Sequence, residues 1–359
     1  MIHVVLLIAC AMAIYLACEW FVNAVEWLGV RLRVGNAAVG TILAAVGTAL
    51  PESIVTLMAV LFGSKTQGDD IAVGAALGGP LVVGTIAYAV TGATLLYKKS
   101  RDRTEVRELA SAGGSDSQRA DVPARSDAHP TDCLAGGSWQ RLVRDQTWFL
   151  AIFAVKVGLG LVAFAIKPWL GLAFFAVYAL YFLREMSGKG NPDKASAEGL
   201  ERLKLQPGRA IPTTAAVVVQ TVGTLVVIFA ASQIFVRQLE WAGPALGLPA
   251  MVVALLLAPI ATELPEIMNA VIWVRQGKTD RALANISGSM MIQATVPSGI
   301  GLLATSWRFD TPLLLAGIAT MASVGYLLWL FHTDRVTARR LTGAGPFYVA
   351  FAIGLVLSR

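Results

Sequence analysis

Ten stretches of this chain are long and apolar enough to cross a lipid bilayer. They run at about 2–28, 37–62, 71–97, 147–166, 168–184, 211–236, 248–274, 280–305, 311–332 and 342–358. A segment of this length crosses the hydrocarbon layer as a helix, because only a helix satisfies its own backbone there. Of the 359 residues 56% are hydrophobic and 14% charged, with mean hydropathy +0.64, which excludes an ordinary soluble domain. The expected fold is an all-α polytopic membrane protein whose first partner is the lipid bilayer.

The charge is distributed for topology. Net charge is +6, but the basic residues sit in short loops rather than on one surface, so nucleic acid is not an expected partner. Lys and Arg number 29, and 23 of them follow odd-numbered spans. That bias places both termini on the non-cytoplasmic side. The first run has no basic residue ahead of it and no small-residue cleavage site, and reads as a retained helix rather than a signal peptide. Residues 98–146 are polar and expected to be mostly disordered. A second polar connection at 185–210 divides the chain into five-helix halves, 1–184 and 211–359. The three cysteines fit neither a disulfide framework nor a metal site, and His129, Asp132 and Cys133 read as coincidence.

The second span contains Gly47-Thr48-Ala49-Leu50-Pro51-Glu52, with no other ionisable group between Gly35 and Gly63. A charge near the bilayer centre costs at least a few kcal/mol, so it marks a functional site by default. Pro51 has no amide hydrogen and frees the Gly47 carbonyl beside the acid, which predicts a broken helix. The block recurs 214 positions later as Ala261-Thr262-Glu263-Leu264-Pro265-Glu266. Downstream of each copy, Asp70 to Gly79 matches Asp280 to Ser289. Five spans separate the copies, so they cross the membrane in opposite directions. Inverted repeats of this kind build a midplane site to which two halves alternate access.

The two paired blocks resemble the alpha-repeat signature of the calcium/cation antiporter superfamily, which includes the sodium/calcium exchangers. The resemblance covers about 36–85 and 248–303. It implies ten helices as two inverted five-helix repeats, and exchange of Ca2+, or a similar divalent cation, for Na+. It also implies Glu52 and Glu266 as principal ligands, with Thr48 and Thr262 as hydroxyl or backbone contributors. The carbonyls of Ala44 and Ala258 and the side chains of Ser289 and Gln293 complete the implied set. Hard cations favour such oxygen shells. No cofactor is expected, and nothing in the pattern sets an oligomeric state. The 185–210 connection is too short for the calcium-sensing domain of eukaryotic relatives, and the expected location is a prokaryotic inner membrane.

The departures from that signature bear on the ion. In the first repeat its serine is Ala49, and the following helix carries Gly79 and Val83 where side-chain ligands are expected. In the second repeat the serine is Glu263, which either faces the site or points away from it. Facing inward, it compensates for lost polar groups or carries a proton, since adjacent carboxylates cannot both ionise cheaply; a Ca2+/H+ exchanger is the alternative. Asn285 is a lesser candidate. Glu19, Asn23 and Lys156 read as structural, with a Glu19–Lys156 ion pair as one arrangement. Gln220 and Thr221 are expected to bond between helices, and Trp148, Trp169, Trp241, Trp273 and Trp307 to form the interfacial belt. A passive cation channel would also use intramembrane acids but would not need inverted repeats. An intramembrane enzyme is not expected, because no span carries a catalytic motif.

Overall fold

The computed structural model describes residues 2–33, 39–62, 67–112, 138–162, 166–186, 200–245, 256, 258–333 and 335–358. The described residues form helices and no strand. α1 is Ile2–Leu32. A π-helical turn, Val39–Ala44, leads into α2, Ala45–Phe62. α3, Gln67–Val82, passes through a second π turn, Val83–Ala87, into α4, Tyr88–Ala112. α5 is Ser138–Leu161, α6 Leu170–Met186 and α7 Thr214–Ala245. α8, Ala258–Thr262, and α9, Leu264–Arg275, are split at Glu263. α10, Thr279–Ala304, α11, Thr311–His332, the short α12, Ala338–Leu341, and α13, Gly345–Leu357, complete the chain. Five of the helical segments are long and apolar enough by themselves to cross a membrane, and this is an integral membrane protein.

α10 is the hub, packing against α2, α3, α5, α6 and α9. The core around it joins Phe21 and Val22 of α1, Leu77 and Leu81 of α3, Phe153 of α5, and Ile286 and Met290 of α10. Large apolar side chains such as Leu183, Val226 and Ile353 point outward. Polar side chains point inward, among them Asn285, Ser287, Ser289, Gln293, Thr295 and Ser298 of α10. In lipid the outside needs no polar cover, and helices are held by close contact and internal hydrogen bonds.

Two repeat-equivalent glycines allow close approaches between the repeats. A Cβ on Gly288 of α10 would stand 2.1 Å from the Thr41 carbonyl oxygen of the first repeat. One on Gly78 of α3 would stand 2.6 Å from the Pro259 ring of the second. Each repeat thus receives the other across a position where only glycine fits.

Several expectations are corrected. The helix is not broken at Pro51, where α2 continues; the irregular part is the π turn upstream, a common way to absorb a misfit inside a helix. The polar 98–146 stretch is helical up to Ala112 and again from Ser138, because extending an anchored helix is cheap for Lys, Arg and Glu. Residues 113–137, with His129, Asp132 and Cys133, lie outside the described residues. Glu19 pairs with Lys204 at 2.6 Å rather than with Lys156. The segment around 201–205 folds back on α1, where Asn23 and Trp27 bond its backbone, and brings that lysine within reach. Trp273 and Trp307 are fully buried, because their indole N–H groups find internal acceptors in Glu26 and the Lys156 carbonyl. Gln220 does bond between helices, to the Trp20 carbonyl and Asn23, while Thr221 bonds the Val217 carbonyl in its own helix.

Candidate functional site

The acids of the second repeat face α10. Glu263 stands at the break between α8 and α9 with φ −88° and ψ 2°. Pro265 forces that break, since it has no amide hydrogen to return to the Ala261 carbonyl and prefers the first turn of a new helix. The break turns the Glu263 side chain toward α10, where Gln293 Nε2 donates to its Oε2 at 2.6 Å. One turn further along α9, Ser289 Oγ donates to Glu266 Oε1 at 3.4 Å. Gln293 Nε2 also reaches Ser289 Oγ at 3.4 Å. Glu263 is 1% exposed, and Glu266, Ser289 and Gln293 are 0% exposed. The Glu263 side chain is thus turned toward Gln293 of α10.

The first repeat enters through α2. Thr48 Oγ1 donates to the Ala44 carbonyl at 3.0 Å, and the same side chain lies beside Glu266. Residues from the two repeats therefore meet at one carboxylate. Glu52 belongs to α2, one turn beyond Thr48, but its side chain lies outside the described residues. The same holds for the side chain of Ala258, which opens α8. Thr262 is turned along α8, donating to the Pro259 carbonyl at 3.1 Å, a local side-chain to backbone bond of the kind Thr commonly makes in a helix. Among the described residues no group of three or more His, Cys, Asp or Glu side chains lies together, so a three-acid site requires Glu52.

Polar atoms around this meeting point lack protein partners. Glu266 Oε2, Gln293 Oε1 and all four side-chain amide atoms of Asn269 and Asn285 are buried with no hydrogen bond. Leaving such an atom unsatisfied costs about 1–3 kcal/mol. For the oxygen atoms among them, a hard cation is one way to recover that cost. Glu263 lies opposite Gln293 and Glu266 opposite Ser289. Asn269 follows Glu266 by three residues on the same face of α9, and Asn285 precedes Ser289 by four on the same face of α10. Sequence reading missed Asn269. Its signal was a lone amide three residues after Glu266 on the same face of an apolar helix. Cys18 of α1 was missed too; its Sγ lies 3.8 Å from the Pro265 carbonyl oxygen, beside Glu266.

Both repeats therefore furnish oxygen-bearing residues to one buried place between α2, α9 and α10. A sequence model described as sodium/calcium exchanger protein matches residues 2–185 and 216–358, which covers both halves. The chain belongs to the sodium/calcium exchanger family. Its fold is similar to that of the sodium-calcium exchanger NCX_Mj. Against the form soaked with sodium and calcium the TM-score is 0.68 at 14% identity, over 98% of this chain and 97% of the other. Against the form soaked without either ion the values are 0.67 and 15%, over 99% of each chain. Against a form soaked with sodium and strontium they are 0.68 and 14%, over 97% of each. At such identity the likeness speaks for the fold. A search of curated proteins by sequence gives no match. For this exchanger-family protein the membrane assignment and the cation-antiporter class follow from membership.

Proposed function

We propose that this family member exchanges Ca2+, or a similar divalent cation, for Na+ by alternating access at the site around Glu266. The observation that carries the reading is the meeting of Thr48 from the first repeat with Glu266 and Ser289 from the second. A site built from two oppositely running repeats is emptied or completed when one moves against the other. The ligand set proposed is Glu52, Glu266 and Glu263, with Thr48, Ser289 and Gln293, the Ala44 and Ala258 carbonyls and Thr262 around them. Carboxylate, hydroxyl and carbonyl oxygens in flexible geometry suit calcium. The reading includes a prokaryotic inner membrane with both termini outside, supported by the loop charge bias, and exchange without a cofactor.

One observation favours a second reading. Glu263 and Glu266 lie side by side in a buried place, and a proton shared between neighbouring carboxylates relieves their repulsion. Calcium uptake into proteoliposomes, driven separately by an outward sodium gradient and an outward proton gradient, decides between the two. Uptake under the sodium gradient alone supports sodium exchange, and uptake under the proton gradient alone supports proton exchange. Equal flux without any counter-ion gradient would mean a channel.

A further inference from the structure

Lys156 of α5 is fully buried among the spans. Its Nζ donates to the Ala76 carbonyl of α3 at 2.7 Å and lies 4.4 Å from the centre of the Phe153 ring. The choice of carbonyl has a cause in sequence. The natural donor to Ala76 is the amide four residues on, and that residue is Pro80, inside α3, which has no hydrogen to give. The ammonium fills a carbonyl that the proline has left open, and the aromatic face beside it suits a cation. Trp307 Nε1 donates to the Lys156 carbonyl at 3.1 Å and anchors this part of α5.

This carbonyl belongs to the wall of α3 that mirrors the ligand-bearing wall of α10. Gly79, one turn from Ala76, matches Ser289, and Val83 falls where its counterpart is Gln293. Gly78 packs on Pro259, whose carbonyl accepts from the Glu263 amide at 3.0 Å. The first-repeat wall therefore offers no side-chain oxygen at the matched positions, and an ammonium stands on its free backbone oxygen. The extra base on one wall accompanies the extra acid, Glu263, near the other.

We propose that Lys156 is a resident cation: its ammonium occupies the first-repeat wall of the transport site and takes the place of one exchanged monovalent ion. The inference rests on the antiport reading above. Counted as charged groups, Glu52, Glu263 and Glu266 against Lys156 leave two net negative charges, which one divalent cation neutralises. Without the lysine the site carries three, and an additional monovalent cation is needed to balance it. Lys156 thus sets the number of counter-ions per calcium.

The test uses the full-length protein in proteoliposomes, with 45Ca2+ uptake driven by whichever counter-ion gradient supports it. Counter-ion concentration and valinomycin-clamped potential are varied for wild type, Lys156→Met and Lys156→Arg. Lys156→Met is expected to raise the Hill coefficient for the counter-ion by about one and to alter the dependence of uptake on potential. Lys156→Arg, which keeps the charge, is expected to behave as wild type. If Lys156→Met fails to fold by size exclusion, the wild type alone still tests the idea, since uptake carrying no net charge is expected. Wild-type uptake coupled to three monovalent ions per calcium, or identical coupling in all three proteins, overturns the resident cation and leaves the antiport reading standing. Absence of gradient-driven uptake in the wild type overturns both.

Discussion

Where α10 carries Ser289 and Gln293, α3 and the π turn after it carry Gly79 and Val83 at the matching positions. The backbone packing of the two repeats is nonetheless alike. Gly288 receives Thr41 of the first repeat, and its equivalent Gly78 receives Pro259 of the second. Both repeats make close contacts across a glycine, while the polar side chains at the matched positions stand on one side only. Packing tolerates no added methyl group at such a crossing. A cation, by contrast, needs enough oxygens and charge in total, whichever wall supplies them.

The largest effect expected from breaking this asymmetry is at the acid that both repeats touch. Glu266→Gln removes a buried charge from the oxygen-rich wall, and a loss of cation-driven uptake on the order of 100-fold is expected. Activity within a few-fold of wild type in a folded protein would sink the assignment. Next in size is Gly288→Ala, because its methyl group meets backbone, which cannot swing aside. A loss of about 1–3 kcal/mol is expected, read as a lower melting temperature in detergent. Gly78→Ala meets a proline ring and should cost less; the reverse ranking would contradict the packing account. Glu263→Gln should change the ratio of proton-driven to sodium-driven uptake by roughly tenfold if that acid carries a proton, the equivalent of about 1.4 kcal/mol. An unchanged ratio would reduce Glu263 to a partner of Gln293. Ser289→Gly makes α10 resemble α3 and removes one bond to Glu266, worth about 1 kcal/mol. The expected outcome is a roughly fivefold weaker apparent affinity in calcium titrations of uptake.

Much of this was legible in the residues. Apolar runs of membrane length and a loop charge bias define the helices, since lipid allows few alternatives. The repeated Leu-Pro-Glu block points to Glu266, and the matched downstream helix to Ser289 and Gln293. Glu263 was visible as an extra acid, but only its contact with Gln293 shows which way the break turns it. Asn269 was hidden because a single amide in a helix resembles ordinary interhelical glue until its partners prove absent. The Glu19–Lys156 pairing failed for another reason. Intramembrane charges were matched to one another, whereas Glu19 is met by Lys204 from the connection that folds back on α1. Trp273 and Trp307 misled in the same way, because nearness to a span end does not reveal an internal acceptor.

The central claim is that two unequal repeats complete one cation site rather than two. Calcium binding to the purified protein by isothermal titration, in the wild type, Glu52→Gln and Glu266→Gln, tests it most directly. The account predicts one calcium bound per chain and its loss in either variant. Two calcium ions in the wild type, with one surviving each substitution, would show that each repeat binds by itself and would contradict it.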